Sequence, residues 1–334
     1  MYVKRVAAAC AALALLGATS RATINEKPYL HAQRLVDVGG GRRLNLYCSG
    51  SGSPTVVLDA AIGSTIFVWN KVQPLLSKHA RVCAYDRAGY GFSDPGGLPH
   101  TTNANVNDLH ALLKNAGIAP PYVLVAHSLN GFDAWLFADR YRSELAGMVL
   151  IEPSNVAEGR FASISGKKKF DTEMAADLKF MKACASKADH QKLVSGDDCV
   201  GGADPRLSPA LNRIELAHKT SAGMWDAVFS ERASLPEDLR EVITEQRTYR
   251  NLPLIVLSAG VLEDAPRTPA AQRQASKRLW SELRAADAAH SNLGTSCIVP
   301  GSRHYIQVDK PGAVVAATLE VIRAGKISAK PSCA

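Results

Sequence analysis

Ala126-His127-Ser128-Leu129-Asn130-Gly131 holds residue types that nucleophilic catalysis needs, in an order that suits it. The apolar run Tyr122–Ala126 ahead of it reads as a strand, and Phe132–Tyr141 behind it reads as a helix. A strand, a sharp turn with serine at its tip and then a helix make a nucleophile elbow. The chemistry needs that shape because a serine hydroxyl is a weak nucleophile. It must stand clear of the sheet, within reach of a base, and beside backbone N–H groups that can hold an oxyanion. Small residues must flank it, since the turn is strained and the helix packs close to the strand. Ala126 meets that need on one side. On the other, Asn130 stands where Gly or Ala is usual and Gly131 follows; asparagine tolerates unusual backbone angles better than most residues. The plain alternative is a serine that caps the following helix.

Three further blocks bear on the choice. Asp86-Arg87-Ala88-Gly89-Tyr90-Gly91-Phe92-Ser93-Asp94 follows the apolar run Ala80–Tyr85. Upstream, Thr55-Val56-Val57-Leu58 leads into Asp59-Ala60-Ala61-Ile62-Gly63, with Trp69 beyond. Near the C-terminus stands Val299-Pro300-Gly301-Ser302-Arg303-His304-Tyr305-Ile306. Taken in this order, the blocks resemble the α/β-hydrolase fold superfamily, in particular bacterial exported serine hydrolases with a D-R-A-G-x-G-x-S-D loop after the fourth strand. The resemblance runs from about Leu35 to Ile327, with low similarity in the middle.

The elements that must position these blocks alternate along the chain. Strands are expected near Arg43–Cys48, Thr55–Leu58, Arg81–Tyr85, Tyr122–Ala126, Gly147–Ile151, Leu254–Ser258 and Ser296–Val299. Helices are expected at Val68–Ser77, Asn103–Ala116, Phe132–Tyr141, Thr268–Ala285 and Gly312–Ala324. Such alternation argues for an α/β protein with a mostly parallel central sheet and helices on both faces. Residues 154–250 are charged and helical without a clear strand. They fall between Gly147–Ile151 and Leu254–Ser258, which the resemblance makes the sixth and seventh strands counting Arg43–Cys48 as the second, where the superfamily places its cap, so they read as a helical lid on a core of residues 23–153 and 251–334. The plain alternative is an insertion far from the chemistry.

The resemblance assigns roles. The base is His304, in a loop after the last strand; Arg303 replaces a glycine common before it and either disfavours the imidazolium or points to solvent. His127 is read as a packing residue. The acid follows the sixth or seventh strand, which leaves Glu152, Glu263 and Asp264, with Glu152 preferred; the plain reading of each is a surface ion pair. The oxyanion donors are the N–H groups of Leu129 and of Ile62, with Ala61 as alternative. These parts describe a serine hydrolase that cleaves ester-type acyl bonds of a small-molecule substrate through an acyl-enzyme, with no metal or organic cofactor. Serine rather than aspartate at the elbow argues against the superfamily's dehalogenases and epoxide hydrolases. A peptidase, amidase or thioesterase on the same triad is the alternative, and a binding protein on a hydrolase fold is the third.

The N-terminus reads as a targeting segment. Lys4 and Arg5 precede an apolar core, Val6–Leu16, too short for a transmembrane helix, and small residues around Ser20-Arg21-Ala22 offer a cleavage site. Cys10 follows Ala8-Ala9, but the apolar core continues past it, which argues against lipidation. Residues 1–22 are thus expected to be a signal peptide, and the protein periplasmic or secreted. Six cysteines remain beyond it, an even number that an oxidising compartment can pair. In the superfamily the second and fourth strands are neighbours, so Cys48 with Cys83 is the expected pair. Cys184 and Cys199 lie close together in the insertion, which leaves Cys297 with Cys333. Buried free thiols are the alternative.

The formal charge of +8 falls by three when Lys4, Arg5 and Arg21 leave with the leader. Lys167-Lys168-Lys169 is a compact basic run of the kind found on solvated helix starts. No basic helix or interleaving of basic and aromatic residues suggests a nucleic-acid partner. No later stretch is long and apolar enough to span a bilayer.

Overall fold

The computed structural model describes residues 25–205, 207–242, 247–261, 268–327 and 329–333. The expected leader, residues 1–22, lies outside these, as do Glu263 and Asp264.

Eight strands form one sheet: β1 (Leu35–Gly39), β2 (Arg42–Ser49), β3 (Thr55–Asp59), β4 (Arg81–Tyr85), β5 (Tyr122–His127), β6 (Leu145–Ile151), β7 (Leu254–Ala259) and β8 (Gly294–Val299). Their spatial order is β1-β2-β4-β3-β5-β6-β7-β8. The β1–β2 and β2–β4 pairs are antiparallel, and every later pair is parallel. Strands β3 and β5 have no exposed or half-buried residue. That explains their unbroken apolar runs, because a parallel strand covered on both faces has no polar side to show. Strand β1 instead alternates exposed and buried residues. It was not among the strands expected from the sequence: Asp37 and the run Gly39-Gly40-Gly41 interrupt a short pattern that only one face buries.

Helices α1 (Gln73–Leu76) and α10 (Pro311–Ile327), the latter preceded by the single turn α9 (Ile306–Asp309), cover one face, where Leu76, Val314 and Val321 pack on Val56, Val123 and Val149. Helices α2 (Thr102–Asn115), α3 (Gly131–Arg140) and α8 (Ala270–Ala289) cover the other, where Leu109, Phe132 and Ala288 join Val57, Leu124 and Leu150. The two sets alternate along each strand, as side chains of a pleated strand must. The helix expected over Val68–Ser77 is instead a turn of 3-10 helix, Ile66–Trp69, followed by the short α1. Pro74 explains the break: its ring lacks an N–H and clashes with the carbonyl four residues back.

Between β6 and β7 the chain leaves the sheet and forms α4 (Ala162–Ser165), α5 (Lys167–Asp189), α6 (Pro209–Lys219) and α7 (Ala222–Val242). This helical insertion has its own small core, built from Cys184, Leu193, Val200, Met224 and Val228 around Tyr90 of the sheet domain. Among the described residues no helix is long and apolar enough to cross a membrane. Three disulfides join Cys48 to Cys83, Cys184 to Cys199 and Cys297 to Cys333. The first links directly opposed residues of β2 and β4.

Candidate active site

The segments named from the sequence converge at the carboxyl edge of the parallel strands. Residues 60–63 follow β3, Arg87 follows β4, Ser128 follows β5, Glu152 follows β6, Ala259 ends β7 and His304 follows β8. Asp59 sits beside Ala126, and His127 beside Ile151, so neighbouring strands end together. Ligands of open α/β sheets bind at this edge.

Ser128 has φ 60°, in the left-handed region that a side chain occupies at a cost. The strain lifts it off the strand before α3 begins, and the carbonyl of Ser128 accepts the N–H of Ser154 at 2.8 Å. Gly131 answers to close packing: a Cβ there would lie 2.7 Å from Pro153. Asn130 departs from the expectation of unusual backbone angles. Its φ of −73° and ψ of 2° are ordinary; its side chain is what the site uses. Asn130 Nδ2 donates to Asp59 Oδ1 at 2.8 Å and to Asp133 Oδ2 at 3.1 Å.

Ser128 Oγ lies 3.0 Å from His304 Nε2. On the other side of the ring, Nδ1 lies 3.8 Å from Glu152 Oε2. That is longer than a hydrogen bond. The second carboxylate oxygen, Oε1, accepts the Ala259 N–H at 2.7 Å. Glu152 itself has φ 44°, so two of the three residues sit on strained backbone. Burial pushes the Glu152 carboxyl up, but His304, the Ala259 N–H and the Arg284 guanidinium outweigh it and hold it below the ordinary carboxylate value. Of the carboxylates weighed from the sequence, Glu152 stands beside His304, while Glu263 and Asp264 lie outside the described residues.

The loop that carries His304 is tied to the residues that follow β7. Gly260 N–H donates to Val299 O at 3.0 Å and Val261 N–H to Ser302 O at 2.9 Å. Arg303 is exposed and turns to Asp309, with Nε 3.7 Å from Oδ2, so its charge faces that carboxylate and solvent. His127 does more than pack. It is fully buried, and its Nε2 lies 2.9 Å from the carbonyl of His304. Gln307 Nε2 donates to its Nδ1 at 3.0 Å. Since a carbonyl only accepts, the His127 proton is on Nε2. Burial, with His304 beside it, holds this ring well below the ordinary histidine value, so it stays neutral. The sequence signal for this contact was the His-Ser adjacency, but its partner is 177 residues away.

Leu129 and Ile62 are half-buried at the same edge, and the Asp59–Asn130 bond ties the loop after β3 to the elbow. A cavity of about 300 Å³ adjoins this edge. Gly63, Ser64 and Phe67 line one wall, His218, Lys219 and Met224 of the insertion another, and Tyr305 lines it as well; Ser128, Glu152 and His304 are not among the lining residues. Among the described residues no group of three or more His, Cys, Asp or Glu is placed to hold a metal ion.

Comparison with known proteins agrees with this architecture. The profile of the "Alpha/beta hydrolase family" matches residues 48–318. The uncharacterized protein YqjL of Bacillus subtilis (strain 168) is 26% identical over 272 residues, covering 81% of this chain and 85% of that protein. Among solved structures, a thermophilic esterase from Thermogutta terrifontis superposes with a TM-score of 0.57 at 20% identity, covering 88% of this chain and 99% of the esterase. The epoxide hydrolase CorEH superposes with a TM-score of 0.59 at 18% identity, covering 88% and 98%. At these identities the two structures speak for the fold alone, and they carry different chemistries on it.

Proposed function

The chain belongs to the alpha/beta hydrolase family, and we propose that within it the protein is an exported serine hydrolase that cleaves carboxylic ester-type acyl bonds. Ser128 Oγ attacks the carbonyl carbon while His304 Nε2 takes its proton. Glu152 accepts from Nδ1, fixes the ring's tautomer and offsets the charge that forms on it. The N–H groups of Leu129 and Ile62 hold the oxyanion of the tetrahedral intermediate. His304 then protonates the departing alkoxide, and water, activated by the same ring, releases the acid from the acyl-enzyme.

The observation that supports this most is the line Ser128 Oγ, His304 Nε2, His304 Nδ1, Glu152 Oε2, at 3.0 Å and 3.8 Å. A serine capping the following helix has no need of an imidazole on its hydroxyl. The nucleophile also separates this reading from epoxide chemistry, since the superfamily's epoxide hydrolases use aspartate where Ser128 stands. The insertion would act as the lid that shapes the acyl pocket. The basic-apolar-small N-terminal segment and the three disulfides favour a periplasmic or secreted protein, because disulfides persist in oxidising compartments.

A fluorophosphonate probe tests the nucleophile: stoichiometric label on Ser128, absent from Ser128→Ala, is expected, and an unlabelled native protein overturns the reading. Turnover of p-nitrophenyl esters ahead of aminoacyl amides is expected; the reverse order moves the assignment to a peptidase or amidase. Mass spectrometry of the mature N-terminus tests export, and an intact Met1 counts against it.

A further inference from the structure

Arg87 is buried in the loop after β4, and the mechanism above makes no use of it. Its guanidinium donates in two directions. Toward the sheet domain, Nη1 bonds the carbonyl of Ala60 and lies 3.4 Å from Asp59 Oδ1, and Nη2 bonds the carbonyl of Ala61 at 3.2 Å. Toward the insertion, Nε meets Glu231 Oε1 at 2.9 Å and Nη2 meets Oε2 at 3.2 Å. Tyr90 Oη donates to the same Oε2 at 2.8 Å. Glu231 lies on α7, 144 residues away, and is as buried as Arg87.

The carbonyl of Ala61 and the N–H of Ile62 belong to one peptide unit. A trans peptide is planar, with its C=O and N–H pointing in opposite directions. A cation held on the oxygen therefore sets the direction of the Ile62 N–H and draws electron density away from it. The same holds for the Ala60 carbonyl and the Ala61 N–H. A buried guanidinium in turn requires a buried anion, since a charge taken out of water without a partner is strongly disfavoured. The bidentate anion here comes from the insertion. Other contacts seat α7 at the same place: the His100 N–H donates to Ser230 Oγ and the Thr102 N–H to Asp238 Oδ1, both at 2.8 Å. Gly89 leaves no room for a side chain, because a Cβ would lie 2.6 Å from the carbonyl of Gly223 at the start of α7.

We propose that Arg87 is a positioning residue for the oxyanion hole, and that Glu231 makes this positioning depend on the seating of the insertion. The insertion thereby bears on the rate of the chemical step as well as on access to the pocket. The proposal rests on the reading of Ser128 as nucleophile and of Ile62 or Ala61 as oxyanion donor.

The test uses the full chain with an activated ester, a boronic acid that forms a tetrahedral adduct, and the fluorophosphonate probe. In Arg87→Lys, kcat should fall about 10²-fold, the order of losing one oxyanion donor, with KM little changed. Boronate affinity should weaken in parallel. Glu231→Gln should show the same pattern more weakly, about tenfold. Methylguanidinium should restore part of the kcat of Arg87→Ala. A latch that only holds the insertion down predicts something else: a raised KM, with kcat and boronate affinity preserved. Folded variants that keep wild-type kcat and boronate affinity overturn the proposal. Should Arg87→Lys fail to fold, Glu231→Gln decides by the same criterion. An unlabelled wild-type protein sinks the reading of Ser128 itself; a labelled wild type with unaffected variants sinks this inference alone.

Discussion

The sheet domain and the helical insertion are stabilised in different ways. In the sheet, β3 and β5 bury every residue and pack against helices on both faces, so apolar contact fixes the positions of the strand ends. In the insertion, α5 has 23 residues of which only Cys184, Ala185 and Ala188 are buried. A disulfide closes the segment from Cys184 to Cys199, and α7 is attached through buried polar groups, Ser230, Glu231 and Asp238. The difference teaches how work is divided. Residues that must hold a geometry to within fractions of an ångström stand on the densely packed region. The region beside the cavity is held by a crosslink, by directional contacts and by a smaller apolar seam in which Val242 of α7 joins the sheet core, and such a region can open without melting what lies beneath.

The sharpest way to break this division is at Ser128. Ser128→Ala should lower turnover by about 10⁴-fold or more, while the thermal midpoint and the proteolytic pattern of the insertion stay as in the wild type. Steady-state kinetics beside a thermal melt measures both. Retained turnover means another nucleophile. A large drop in stability means that the insertion leans on the serine, and the two regions are not separable.

Glu152 comes next. Glu152→Gln should cost on the order of 10²–10⁴ in kcat. The same variant reads the pH dependence of stability. The folded carboxyl is held below its ordinary value, so its contribution is fully present above the unfolded value of about 4.5. It is lost as the pH falls through the lower, folded value. Urea melts at descending pH should therefore show a steeper loss of stability for the wild type than for Glu152→Gln. Parallel curves would show that Glu152 is not held ionised by its surroundings.

Legibility divides along the same line. The central strands and the loops at their ends were readable because unbroken apolar runs and strained turns leave local marks: Val56-Val57-Leu58 before the loop of Ile62, and a serine two residues after Ala126 and three before Gly131. Strand β1 was not readable, since one buried face leaves only Val36 and Val38 as a pattern. Spacing along the chain permits Glu152, Glu263 and Asp264 alike; a distance to His304 speaks for Glu152, and the other two lie outside the described residues. Asn130 looked like a backbone substitution and is a side-chain tie to Asp59. The polar contacts of the insertion were closed to sequence reasoning. Nothing near Glu231 marks it as the partner of an arginine 144 positions earlier.

Smaller effects measure the two cores directly. Leu150 is fully buried on β6, and Leu150→Ala should destabilise the whole protein by about 2–5 kcal/mol. Phe180 on α5 is 43% exposed, and Phe180→Ala should stay within about 0.5 kcal/mol. Urea titration compares them; a comparable loss from both would mean that α5 packs as tightly as the sheet.

The most local effect is expected from the disulfide of the insertion. A crosslink closing a 15-residue separation stabilises by about 3 kcal/mol, chiefly by limiting the unfolded chain. Where that energy is lost depends on how the regions are coupled. If the insertion opens by itself, the Cys184→Ser/Cys199→Ser double variant should expose α5 and residues 190–203 to protease and to hydrogen exchange. The sheet helices should exchange as before. The polar contacts of α7 remain in that variant, so Ser128 should label with fluorophosphonate at close to the wild-type rate, and the change should fall on KM. If exchange instead accelerates across α2, α3 and α10 together, the crosslink stabilises a single cooperative unit. The insertion would then be part of the core in every sense but its composition.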